Sequence, residues 1–207
     1  MIKVLIVEDS RISRDLIEIQ LNSNKKYEII ASIENAANAE IICMKNKVDL
    51  VLMDICTADN ESGLVAAEKI KSQYPEIKVI IMTSMPEYSF MEKAIKAGCD
   101  SFWYKEEEET DLIDICDKTV AGEFIWPIET PVVKIGMTTS DNFTKRELDV
   151  ISELAKGYKY EEVASHLFMS TNTVKYHVRN ILQKTGFHNT VQLIAAVIEK
   201  RLVLPRF

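Results

Sequence analysis

Apolar residues in the first 122 positions follow two rhythms. Short continuous runs rich in Ile and Val predict strands at Ile2–Val7, Tyr27–Ile33, Val48–Met53, Ile77–Met82 and Ser101–Tyr104. Stretches with helical spacing lie near Arg11–Asn22, Ala36–Lys45, Gly63–Tyr74, Glu87–Ala97 and Asp111–Ala121. Strands apolar throughout, each followed by a helix, predict a parallel sheet covered on both faces. Ser84 and Glu87 stand at capping-box spacing and predict the start of the fourth helix. The acidic run Glu106–Glu109 reads as a solvated helix start, where acids suit the helix dipole.

The pattern dissolves over residues 123–142, EFIWPIETPVVKIGMTTSDN, which holds two of the five prolines and a Thr/Ser/Asp/Asn cluster. This reads as a linker, although Phe124, Ile125, Trp126, Val132 and Val133 are apolar enough for part of it to dock. Beyond it the periodicity is helical. Thr144 and Glu147 have capping-box spacing ahead of Leu148, Ile151, Leu154 and Ala155, and Gly157 closes that helix. Further helices are predicted near Tyr160–Leu167, Thr171–Lys184 and Thr190–Lys200. The expected domains are 1–122, a linker over 123–142, and a helical domain over 143–207.

Composition narrows the class. Apolar residues make up 47% and charged residues 28% of 207, a balance that fits two folded domains rather than a disordered chain. No apolar run approaches the roughly 20 residues that span a bilayer, and the N-terminus lacks a signal-peptide pattern. A cytoplasmic protein is expected. Cys43, Cys56, Cys99 and Cys116 are widely spaced, without metal-ligand spacing, so they read as small buried residues of a reducing compartment. The net charge of −7 is uneven: residues 1–122 hold 14 Lys/Arg against 23 Asp/Glu, a net of −9, whereas residues 141–207 hold 10 against 7, a net of +3. That asymmetry points the C-terminal part at a polyanion.

Ligands of doubly wound sheets bind beyond the carboxyl ends of the strands. Glu8 and Asp9 stand there after the first predicted strand, Asp54 after the third, Thr83 after the fourth and Lys105 after the fifth. Three carboxylates gathered at one edge repel one another unless a cation holds them, and oxygen donors of this kind suit Mg²⁺. A carboxylate beside Mg²⁺ and an amine can attack a phosphoryl group.

This set resembles the receiver domain of two-component response regulators, over roughly Met1–Gly122. The resemblance implies a five-stranded, flavodoxin-like sheet of order 2-1-3-4-5. It further implies that Asp54 is the phosphoacceptor for a sensor histidine kinase. Glu8, Asp9, Asp54 and the backbone carbonyl of Cys56 would hold Mg²⁺. Lys105 would pair with the phosphoryl group, and Thr83 and Phe102 would form the switch. Two departures stand out. Gly63 lies nine residues beyond Asp54 where the family has eight, so the intervening loop is one residue longer. Cys56 and Met85 occupy the positions whose side chains influence the hydrolytic water, and neither orients water well, so slow self-dephosphorylation is expected. A phosphohydrolase on a similar sheet is the competing enzyme reading, but it usually carries a second Asp where this chain has Cys56. A regulator that works through partner proteins, without phosphorylation, is the other rival.

In MSTNTVKYHVRNILQKTG, Val174, Val178, Ile181 and Leu182 form one apolar stripe. The opposite side holds Asn172, Tyr176, Arg179, Asn180 and Gln183, with Lys175, His177 and Lys184 on the flanks. Such a face can hydrogen-bond base edges and phosphates in a major groove. The segment from Phe143 to Lys200 is similar to the LuxR-type helix-turn-helix of NarL/FixJ response regulators, through Thr144, Glu147, Gly157, Val163-Ala164, Ser170, Thr173-Val174-Lys175 and His177-Val178. That implies an all-α four-helix domain whose Thr171–Lys184 helix enters DNA. Asn172, Thr173, Lys175, Tyr176, Arg179 and Gln183 are the expected contacts. The resemblance also implies dimerisation through Val191, Ile194, Ala195 and Ile198 of the last helix, matched to paired half-sites. The whole is read as a transcription regulator switched by phosphorylation, not a metabolic enzyme.

Overall fold

In the computed structural model, which describes residues 1–105 and 111–204, the apolar runs become the strands of one parallel sheet. These are β1 (Ile2–Val7), β2 (Tyr27–Ile33), β3 (Leu50–Asp54), β4 (Lys78–Thr83) and β5 (Ser101–Tyr104), in the order β2-β1-β3-β4-β5. The helices between and after them are α1 (Arg11–Asn22), α2 (Ala39–Lys45), α3 (Gly63–Gln73), α4 (Phe90–Lys96) and α5 (Leu112–Val120). Alternate residues Val4, Ile6, Leu50, Leu52, Ile80 and Met82 pack with Ile17 and Leu21 of α1 and Leu112, Ile115 and Cys116 of α5. The intervening Leu5, Val7, Val51, Met53, Val79 and Ile81 are equally buried and face the other way. Burial of each such side chain contributes about 1.5–3 kcal/mol, which explains why the runs are unbroken.

β3 and β4 each extend one residue past the predicted apolar run. The backbone ladder continues to Asp54↔Met82 and Thr83↔Tyr104, so Asp54 and Thr83 are strand residues. Helical boundaries differ more. Residues 36–45 split into a 3₁₀ turn (Ala36–Asn38), whose Asn35 side chain accepts the Ala37 N–H at 2.8 Å, followed by α2. The helix expected to start at Ser84 starts later: α4 begins at Phe90 with Ser89 as its cap residue. Pro86 biases Met85 toward extended backbone, and the helix starts where Phe90 enters the core. The Glu106–Glu109 run lies outside the described residues.

Contacts divide the chain into Met1–Ser84 with Ser89–Ile128, and Met85–Tyr88 with the chain from Glu129 onward. The stretch read as a linker is therefore ordered at both ends. Ile125 accepts the Phe102 N–H on its carbonyl at 2.9 Å and donates its own N–H to Ser101 Oγ at 3.1 Å. Trp126 lies 6.1 Å, centroid to centroid, from the Phe102 ring. Phe124 and Val132 stay largely exposed. Farther on, β6 (Lys134–Ile135) and β7 (Thr138–Thr139) form a small hairpin that puts Ile135 into the second core beside Val133.

That second core is built by α6 (Lys145–Ala155), α7 (Tyr160–His166), α8 (Thr171–Thr185) and α9 (Thr190–Glu199). Thr144 and Glu147 make the expected capping box at the start of α6. Ser170 caps α8, accepting the Thr173 N–H at 3.1 Å. Gly186 ends α8 in the left-handed conformation, φ 74°. Lys184 bonds Glu147 Oε2 at 2.7 Å and the Asn142 carbonyl at 3.0 Å, pinning the end of α8 to the start of α6. Among the described residues no helix is long and apolar enough to cross a membrane.

Candidate functional site

The carboxyl edge of the sheet gathers the residues that the sequence pattern singled out. Glu8 follows β1 and is buried, Asp9 beside it is exposed, and Asp54 ends β3 with 7% exposure. One carboxylate oxygen of each lies within 4.8 Å of the others. Lys105, just past β5, closes the group: its Nζ donates to Asp54 Oδ1 at 2.6 Å and to Glu8 Oε2. The backbone holds the carboxylates as well, with Cys56 N–H on Asp54 Oδ2 at 3.1 Å and Ser10 N–H on Glu8 Oε1 at 3.1 Å. Burial, the largest effect, pushes the Asp54 carboxyl up to about 6; Lys105 opposes this, while Glu8 and Asp9 add to it. Burial pulls the Lys105 amine down, but Asp54 and Glu8 more than offset it and hold its pKa above the usual lysine value. A site with this surplus of negative charge favours a cation or a neutralising group.

The longer loop after Asp54 folds back without opening the site. Cys56 and Ser62 form an antiparallel bridge whose bonds are made by their neighbours: Gly63 N–H to Ile55 O at 2.8 Å and Thr57 N–H to Glu61 O at 3.1 Å. In such a pair the residue's own amide and carbonyl point away from the partner strand, so both backbone groups of Cys56 face the carboxylate side. Within the loop Asp59 and Asn60 are both left-handed at φ 61° and 58°, a region these residue types tolerate better than most. Thr83 ends β4 and its carbonyl accepts the Lys105 N–H at 2.9 Å. Phe102, buried in β5, packs edge-on against Tyr104 at 5.0 Å.

On α8 the predicted inward stripe is buried at Val174, Val178 and Ile181, with Leu182 half-buried. Asn172, Lys175, Tyr176, Arg179 and Gln183 are exposed. The Arg179 guanidinium lies 5.6 Å from the Tyr176 ring centroid, a cation–π arrangement that orders two long side chains before any ligand arrives. Thr173 is half-buried, and its hydroxyl is hydrogen-bonded to Ser170 Oγ at 2.8 Å. On α9, Val191, Ala195 and Ile198 are exposed and Ile194 half-buried; all four line one open, mainly apolar groove of about 530 Å³ together with Leu154, Tyr158 and Tyr160. Residues outside every motif also reach the acidic edge, notably Arg14 and Glu34; their separation of 20 positions leaves no local signal.

Comparison with known proteins agrees with this geometry. The family profile described as a response regulator receiver domain matches residues 4–117, and that of the luxR family of bacterial regulatory proteins matches residues 141–197. The chain belongs to the response regulators, with a receiver domain followed by a DNA-binding domain of the luxR family. It is 32% identical over 209 residues to the response regulator protein VraR of Staphylococcus aureus (strain NCTC 8325 / PS 47), covering 98% of this chain and 99% of that one. VraR of Staphylococcus epidermidis (strain ATCC 12228 / FDA PCI 1200) is 31% identical over 207 residues with the same coverage. Among solved structures, a chain from the structure of two RcsB dimers bound to two parallel DNAs superposes with a TM-score of 0.64 at 18% identity, over 95% of this chain and 98% of that one. RcsB from Salmonella enterica serovar Typhimurium, bound to promoter rprA with phosphomimetic BeF3⁻, gives 0.62 at 19% identity with the same coverage. As a member of this family the protein is a phosphorylation-controlled, DNA-binding transcription regulator and not a metabolic enzyme.

Proposed function

We propose that Asp54 accepts a phosphoryl group from a sensor histidine kinase and that the acyl phosphate controls DNA binding by α8. The observation that carries this is the convergence of Asp54 with Glu8, Asp9 and Lys105 at one sheet edge. The donor set fits Mg²⁺: three carboxylates of suitable spacing, with the backbone of Cys56 facing the same side. Glu8, Asp9, Asp54 and the Cys56 carbonyl would hold the ion. Bound there, Mg²⁺ supplies positive charge next to the phosphoryl oxygens. Asp54 is the nucleophile; Lys105 releases its bond to Asp54 Oδ1 and pairs with a phosphoryl oxygen. The Thr83 hydroxyl then bonds the phosphoryl group, and Phe102 responds.

The output follows from α8. Lys175 and Arg179 contact phosphates or bases, and Tyr176, Asn172 and Gln183 complete the reading face, while Thr173 serves the groove edge close to its cap. Val191, Ile194, Ala195 and Ile198 join two copies of the chain on paired half-sites. The working units are a receiver over residues 1–122 and a DNA-binding domain from 143, acting in the cytoplasm.

Acetyl phosphate with Mg²⁺ tests the central step. Intact mass should rise by one phosphoryl group on the wild type and stay unchanged on Asp54→Ala. No gain on the wild type, or equal gain on both, overturns the assignment. With Cys56 and Met85 at the water-influencing positions, the label should persist well beyond seconds after acetyl phosphate is removed; loss within seconds rejects slow hydrolysis.

A further inference from the structure

Arg14 lies on α1 outside every motif, yet its side chain is only 14% exposed. Its Nη1 donates to the backbone carbonyl of Glu8 at 2.7 Å, and its Nη2 donates to Glu34 Oε1 at 2.8 Å. Glu34 follows β2, and its own carbonyl accepts the Ala58 N–H at 3.0 Å. Two residues on, Ala36 N–H donates to the Thr57 hydroxyl at 3.0 Å, and that hydroxyl donates to the Glu61 carbonyl at 2.8 Å. A continuous hydrogen-bonded path thus runs from the loop bearing Glu8 and Asp9, through Arg14 and the turn after β2, to the lengthened loop bearing Cys56.

From this path we infer that Arg14 and Glu34 are positioning residues for the cation site: they fix the distance between the two loops that supply its oxygen ligands. The inference rests on the metal reading given above. Three carboxylates left to themselves spread apart, whereas Mg²⁺ demands near-ideal octahedral placement at about 2.0–2.1 Å. Groups that orient metal ligands from behind typically govern affinity by about 10–100-fold. The fork of a guanidinium bridges two acceptors in one plane, which a lysine ammonium does not do with the same rigidity. An arginine near an acidic site also repels a cation. If repulsion dominated, removing Arg14 would tighten metal binding; if bracing dominates, removal weakens it. The sign of the change separates the two.

Titration of the full chain with Mn²⁺, an octahedral surrogate for Mg²⁺, with free ion read by electron paramagnetic resonance, reports binding without any turnover. Arg14→Met should raise the Kd by about 10-fold, Arg14→Lys by nearly as much despite keeping the charge, and Glu34→Ala by a smaller factor in the same direction. Glu34 is 62% exposed, so its variant is expected to fold even if Arg14→Met does not, and far-UV circular dichroism checks each protein. Unchanged or tighter binding in folded Arg14→Lys and Glu34→Ala overturns the bracing role while leaving the metal site intact. A wild type that binds no Mn²⁺ overturns the metal reading itself, and this inference with it.

Discussion

Gly63 shows how one residue can decide the geometry of the acidic edge. A Cβ at this position would lie 1.8 Å from the Asp54 carbonyl oxygen and 2.9 Å from Met53 Cγ, so the backbone of α3 approaches β3 as only a glycine allows. The loop after Asp54 therefore returns its glycine to contact with the end of β3. Gly63→Ala should lose about 3 kcal/mol or more through forced displacement of that backbone, read as a lower urea midpoint, and should abolish acetyl phosphate labelling along with it. At Asn60, with φ 58°, the sign depends on the replacement. Asn60→Gly should be neutral or stabilising, whereas Asn60→Val should cost about 1–2 kcal/mol in the same assay. Equal stability of the two would mean that the loop relaxes out of the left-handed region.

Elements were legible in the sequence wherever burial enforces a period. The five strands and the inward stripe of α8 follow from unbroken or periodic apolar runs, because a misplaced residue there would expose the core. Boundaries set by local backbone chemistry were not: the two-residue hairpin strands are too short to carry a period, and the helix expected from the Ser84–Glu87 spacing starts only at Phe90. The acidic edge was legible because each of its members stands at or just past the end of a strand, while the Arg14–Glu34 brace depends on side chains that meet only after the sheet has formed. Asp100, in the turn between α4 and β5, illustrates the same long-range logic. It accepts bonds from Lys71, Lys78 and the Val79 N–H, each at 2.9 Å. Burial raises its pKa, but the two lysines and the amide outweigh that and hold it below the usual carboxylate value. The native state thus binds fewer protons there than the unfolded chain. The resulting stability is complete above the unfolded value near about 3.9 and is lost as pH falls through the lower folded one. Asp100→Asn should cost about 3 kcal/mol near neutrality, and the gap from wild type should narrow below about pH 4; a gap independent of pH would show that the ion pairs contribute nothing. The pairing of Ile125 with β5 gives another element-level expectation. With Trp103→Phe leaving Trp126 as the reporter, BeF3⁻ and Mg²⁺ should shift its emission if Phe102 leaves its seat, and an unchanged spectrum would place the switch elsewhere.

At the scale of the whole molecule, the charge split and the α9 groove bear on the same event. A chain of net charge −7 approaches DNA against overall repulsion, so affinity needs a local cationic surface, and the joining of two copies proposed above would add to it. Each phosphate contact adds about 0.9 to the slope of log affinity against log salt. Lys175→Ala should therefore lower that slope by about one and weaken all sequences alike, while Arg179→Ala should relax discrimination between sites if it reads a base. Joining copies is a separate term. Val191 and Ile198 expose apolar surface at the groove lined by α9, and a pair of glutamates there would place unpaired charge in any contact that buries them. Val191→Glu with Ile198→Glu should leave binding to a single half-site within about twofold but reduce cooperative binding to paired half-sites by at least about tenfold, or 1.4 kcal/mol. Band-shift titrations on one-site and two-site duplexes measure both quantities on the same protein. Loss on the single site too would make α9 part of the fold's own support, whereas undiminished cooperativity would move the junction between copies to another surface.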